Sequence, residues 1–236
     1  MNFLFKLSFL LMAWGVLFPM LSFSQNNISA SRPGQCISSS TINKGTLQLQ
    51  TGIQYDFGLV RELEVPTTML RYGLFKGFEI RLYEQLIKFP TSKLVFDNPE
   101  FSLLINLTKG NQFIPEMAIS PHVGYDFVSG NVSSGVILSG SNSLGDKFGY
   151  SFNLAANYQT NLIGYYALAF NYTYKKTTFF IETFGNMLPN DLRFDAGLGY
   201  LLNSNIQLDL YGGTDANLSS YFLSTGICAR LIQKNK

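Results

Sequence analysis

From Gly45 onward the chain alternates with a period of two. Leu47, Leu49, Thr51, Ile53, Tyr55 and Phe57 fall on one face of an extended segment, and Gln48, Gln50, Gly52, Gln54 and Asp56 fall on the other. A helix would scatter these groups around its axis, whereas a strand separates them. The same alternation recurs over 148–158, 166–174, 192–200 and 221–230. Less regular segments at 66–75, 78–86, 100–107, 115–123, 132–140, 177–186 and 205–213 bring the predicted count to about twelve strands, the Ser- and Gly-rich 132–140 being the weakest. An even number of strands of about ten residues each is the pattern of an all-β, antiparallel transmembrane barrel.

Turn lengths give an independent check. If both ends of the barrel domain lie on the periplasmic side, short turns should follow even-numbered strands. Lys76-Gly77, Lys175-Lys176 and Asn203-Ser204 obey this, while Ser141 to Lys147 after the sixth strand is longer than the rule predicts. A soluble β-sandwich or lipid-binding clam also alternates, but its wet face carries Lys and Glu. Here that face carries Gln, Asn, Ser and Gly, and many strands end in Tyr or Phe, the residues favoured where lipid meets water.

The first residues follow a different logic. Lys6, an apolar run from Leu7 to Leu21, and then Ser22, Phe23 and Ser24 make a secretory signal, with cleavage expected after Ser24. An uncleaved anchor is the alternative, but the run is shorter than the roughly 20 residues of a spanning helix and contains Pro19. Residues 25–44 are polar and read as a periplasmic lead-in or a plug, ahead of a barrel over 45–232. Composition agrees with a barrel. Charged residues make up 14% of the chain and aromatics 15%, against roughly 25% charged in ordinary soluble domains. No basic block exists that could neutralise a row of phosphates, so nucleic acid is not an expected partner.

Certain words in the sequence resemble a known family. They are Ser31-Arg32-Pro33-Gly34, Lys44 to Gly52, and Pro66 to Leu74 followed by Phe78-Glu79-Ile80-Arg81. In the C-terminal half they are Glu182-Thr183-Phe184-Gly185, Asp195 to Leu201 and Asn205 to Asp209. Together these resemble the meta-pathway phenol-degradation or "transporter" family of outer-membrane β-barrel proteins, over most of residues 31–231. The middle, about 124–147, departs from the family pattern. The resemblance implies an outer-membrane, porin-like channel and says little about cargo.

By parity with the apolar face, Arg71, Glu79, Arg81, Glu116, Glu182, Arg193, Asp195, Asp209 and Arg230 should point into the barrel. A charge facing lipid at the midplane would cost about 2–4 kcal/mol. Inside, these groups either form a selective constriction or pair with one another to fill a narrow lumen. Their near balance of sign favours pairing, and the Arg71, Glu79 and Arg81 hairpin suits both roles. His122 is the only histidine. Paired with Ser120 it would suggest a barrel lipase, yet parity turns both inward and no Gly-x-Ser-x-Gly elbow exists. Cys36 and Cys228 belong to an oxidising compartment and are a possible disulfide, two free buried thiols being the simpler alternative. No spacing suggests a metal, and no cofactor or enzyme activity is expected.

The expected function is passage of small solutes, hydrophobic or aromatic ones among them, across the outer membrane of a Gram-negative bacterium. The alternative is a non-conducting structural or assembly barrel. Outer-membrane lipid, small solutes and the barrel-assembly machinery are the expected partners.

Overall fold

A computed structural model describes residues 28–32, 34–58, 61–88, 95–111, 113–127, 129–188 and 191–232. The expected signal segment, 1–24, lies outside the described residues.

Twelve strands follow one another along the chain. They are β1 (Leu47–Phe57), β2 (Glu62–Phe75), β3 (Phe78–Lys88), β4 (Val95–Lys109), β5 (Glu116–Asp126) and β6 (Asn131–Leu144), then β7 (Phe148–Tyr158), β8 (Leu162–Tyr174), β9 (Thr177–Asn186), β10 (Arg193–Asn203), β11 (Ile206–Asp215) and β12 (Tyr221–Ile232). Each pairs antiparallel with its neighbours in sequence, and β1 pairs with β12, so the sheet closes into a barrel with no free edge. The period-two pattern therefore reads correctly as one wall with two sides. Phe101, Phe148, Leu154, Phe170, Ile181, Leu210 and Leu223 are exposed on the outside, while Gln48, Gln50, Arg71, Glu79, Ser139 and Asn153 are buried within.

Several strands are longer than their sequence signal, β6 and β4 most clearly. β6, predicted weakly over 132–140, runs for 14 residues. Its Ser and Gly side chains carry little apolar contrast, but its backbone pairs in register with β5 from Glu116 to Asp126 and with β7 from Phe148 to Tyr158. The turn after it thus shrinks from the expected 141–147 to Gly145, Asp146 and Lys147. β4 begins at Val95 rather than near residue 100, because its ladder with β3 is interrupted and resumed: pairing breaks between Tyr83 and Gln85. The break lies opposite Asn98, with φ of 45°, and Pro99, which has no N–H to offer the ladder. The turn after β10 is Ser204-Asn205, one residue later than expected. The long connection on this end of the barrel is Gly110 to Pro115, where the Asn111 side chain accepts from the N–H groups of Phe113 (2.9 Å) and Ile114 (2.8 Å).

Candidate functional site: the occupied lumen

Inward side chains determine what the barrel holds, and it holds its own N-terminal segment. Residues 28–32 and 34–46 run around the inside of the wall before joining β1. Near the start, Gln48 on β1 and Arg71 on β2 donate to the Ser29 carbonyl at 2.8 and 2.7 Å. Arg32 then reaches across to β11, β12 and β2: it meets Asp209 at 3.1 Å, the Ser224 hydroxyl at 2.9 Å and the Thr67 hydroxyl at 3.1 Å. Gln35 N–H donates to both Glu182 oxygens on β9, at 3.1 and 3.2 Å. Ile37 exchanges backbone bonds with the Asn153 amide on β7, at 2.7 and 3.1 Å. Ser39 meets Ser141 on β6 at 2.6 Å, and Ser40 donates to Glu116 on β5. Finally Ile42 N–H donates to Glu79 on β3 at 2.8 Å, and Gly45 pairs with Gly73 on β2. The segment visits the wall in rotational order. It is a ring.

One cluster closes that ring. Glu79 is fully buried and accepts from Nε of both Arg71 and Arg81 at 2.6 Å, and from Arg71 Nη2 at 3.0 Å. Register explains the convergence: Arg71 faces Arg81 across β2 and β3, and Glu79 lies two residues from Arg81 on the same face. Arg71 also donates to the Ser40 carbonyl at 3.2 Å, so a single guanidinium holds Ser29 and Ser40 together. Without Glu79, two buried cations would face each other. The three side chains thus engage one another and the ring inside the wall.

The wall is shaped for the segment as well. Gly52 on β1 and Gly226 on β12 face each other directly. A methyl group on Gly52 would lie 2.6 Å from Arg32 Nη2, and one on Gly226 would lie 2.8 Å from Arg32 Nε. Only a pair of glycines leaves the guanidinium its seat.

The remaining candidates are distributed around this arrangement. Asp195 faces Glu182 across β9 and β10, and neither of its carboxylate oxygens has a hydrogen-bond partner among the described residues. Arg193 sits near one rim and pairs with Asp191 at 2.9 Å; Arg230 sits near the other, donating to Asn205 at 3.0 Å. Ser120 is buried on the inward face, where alternation also places His122, whose Nδ1 has no partner among the described residues. Both are thus turned away from the outer surface.

The possible disulfide is corrected. Cys36 and Cys228 are both free. The segment has already crossed the lumen between Arg32 and Ile37, so Cys36 lies beside Ser151 on β7 while Cys228 sits on β12, opposite Gln50 of β1. Burial pushes the Cys36 thiol up to about 12, which leaves it protonated and unreactive near neutral pH.

A cavity of about 800 Å³ remains between the ring and the wall formed by β6 to β11, at the end of the barrel that carries the Gly110 and Gly145 turns.

No family model matches the chain, and no curated protein does. Solved structures do match. The KdgM porin in complex with disordered oligogalacturonate shares 10% identity, with a TM-score of 0.60 over 76% of this chain and 98% of its own. An outer membrane channel from Pseudomonas putida F1 shares 9%, with a TM-score of 0.63 over 84% and 99%. The NanC porin shares 11%, with a TM-score of 0.57 over 78% and 100%. The fold is that of outer-membrane porins. At such identities the likeness concerns the path of the backbone, and it leaves the lumen chemistry to be read from this chain's own residues.

Sequence reasoning missed Arg32, Asn153, Gln48 and the Ser39–Ser141 contact. One signal was present: Gly52 and Gly226 stand at inward positions of the first and last strands, which barrel closure makes neighbours.

Proposed function

We propose that the protein spans the outer membrane of a Gram-negative bacterium, after removal of a signal peptide at Ser24, and passes small solutes through a lumen gated by residues 28–46. The outer wall carries apolar side chains on every second position, as a lipid-facing surface requires. The resemblance to the meta-pathway phenol-degradation or "transporter" family agrees with an outer-membrane channel and leaves the cargo open.

The observation that carries the proposal is how the ring is held. Its contacts to β5, β6, β7 and β9 are hydrogen bonds to inward polar side chains, not apolar packing. The neutral bonds exchange for bonds to water at a net cost of about 0.5–1.5 kcal/mol each, and those to Glu116 and Glu182 at about 1.5–3 kcal/mol. Apart from the buried Ile28 and Ile42, a segment held this way can leave the wall without exposing much apolar surface.

Pinning the ring tests the idea. Ser39 and Ser141 place their hydroxyls 2.6 Å apart, so Ser39→Cys with Ser141→Cys would lock the segment to β6 in a chain whose Cys36 and Cys228 are replaced by Ser. In planar bilayers the oxidised protein should be silent and a small thiol reductant should restore openings. Equal conductance in both redox states would remove the gate. The occupied lumen also favours a second reading, a non-conducting structural barrel; silence of the reduced and the unmodified protein alike would select it.

A second prediction concerns the outer wall. Glu84 is exposed on β3 between Leu82 and Leu86, facing outward like its partner Thr68. If lipid covers this face, Glu84→Leu should stabilise the barrel by about 1 kcal/mol, since acidic groups there cost less than the 2–4 kcal/mol of basic ones. Urea titration of the protein in lipid vesicles measures this, and a loss of stability would place Glu84 outside the hydrocarbon layer.

A further inference from the structure

The cavity beside the ring is lined on the inward faces of β6 to β9 mostly by small polar side chains. Ser141, Ser143, Ser151, Asn171, Thr173 and Thr178 face into it from β6 to β9. Gly149, Ala169 and Gly199 stand among them and provide the room. Charged groups also line the space, but the structure already engages the inner ones. Arg32 is paired with Asp209, Glu182 accepts twice from Gln35, and Glu116 accepts from Ser40 and from Asn106. Lys109, Asp146 and Lys147 are exposed at its outer edge, and what stays available deeper inside is neutral. The Asn171 side-chain amide, on a residue whose backbone pairs with β7 and β9, has no hydrogen-bond partner among the described residues, and the Thr173 and Thr178 hydroxyls, 3.0 Å apart, share a single bond between them.

We propose that this cavity is a binding site for a small uncharged polyhydroxylated solute, of monosaccharide to disaccharide size. The inference rests on the solute-passing reading for its biological sense, but not for the existence of the site. The chemistry is one of elimination and fit. An apolar or aromatic solute would strip water from hydroxyl and amide groups without replacing their hydrogen bonds. An ion would meet inner charges that are already neutralised by neighbours. Hydroxyls and amides both donate and accept, so they match a ligand whose own groups are hydroxyls in many orientations. A volume of about 800 Å³ lies within the range of small-molecule sites.

The test separates binding from passage. The full mature chain, in a detergent without a sugar headgroup, is titrated calorimetrically with maltose, galacturonate and phenol. Maltose should bind and the other two should not. Asn171→Leu should weaken maltose about tenfold, the loss of roughly one good hydrogen bond; Thr178→Val, which keeps side-chain shape, serves as the second variant should the first fail to fold. Phenol or galacturonate binding as tightly as maltose, or maltose affinity untouched by a folded variant, overturns the assignment. Liposome swelling then reads the other claim. Maltose binding without maltose entry keeps the site and removes the channel. Entry of all three solutes in order of size, with no maltose binding, keeps the channel and removes the site.

Discussion

Deleting residues 28–41 from the mature chain is expected to raise single-channel conductance severalfold. Strand number alone does not determine whether such a barrel conducts: about eight strands leave an interior that side chains fill, and sixteen to eighteen leave an aqueous channel. Twelve strands lie between, so the ring decides. It lies along the wall from β1 around to β2, with its backbone inside the inward side chains. Removing it would expose Glu182, Glu116 and Asn153 to water instead of to the segment. Planar-bilayer recordings of the deleted and complete chains give the comparison. A deleted form no more conductive than the parent would mean that something else closes the lumen.

The second large effect lies at Glu79. Glu79→Ala removes the shared acceptor of Arg71 and Arg81 and that of Ile42 N–H. Two guanidinium groups with essentially no exposure would then face each other uncompensated. Breaking a buried ion pair from one side costs about 3–5 kcal/mol, because the stranded charge keeps its desolvation penalty. The expected outcome is a fall of that size in unfolding free energy in lipid vesicles, with a lower temperature for the gel-mobility transition of the closed barrel. Arg71→Ala should cost less, since Arg81 and Glu79 remain paired and neutral, but it should open the ring by freeing Ser29 and Ser40. Were Glu79→Ala as stable as the parent, the cluster would not be what holds β2, β3 and the segment together.

Much of the wall was legible before any coordinates. Leu47 to Phe57 alternates cleanly because one side meets an apolar exterior and the other a polar interior, and that contrast is written residue by residue. β6 was nearly invisible for the opposite reason. Its inward Ser141 meets the polar segment and its inward Ser139 turns to the Ala118 carbonyl of β5, so small hydroxyls suffice and the alternation flattens; Ser141 was accordingly assigned to a turn that the backbone ladder shows to be strand. Parity also turned all nine charged candidates inward, but it gave no account of which would meet. Arg71, Glu79 and Arg81 were joined by a local hairpin, and their contact follows from nearness in sequence. Arg32 with Asp209 lies 177 residues apart, and no local pattern links them.

What the sequence determined by itself is a strand count, a facing and a sign balance, since period-two alternation is a local property of each strand. What only the tertiary structure decided is the content of the lumen. A polar segment such as 28–46 has no period to betray its position, and its hydrogen bonds go to side chains on strands brought together only when β1 pairs with β12. Closure creates the interior, and the interior selects the path of the segment.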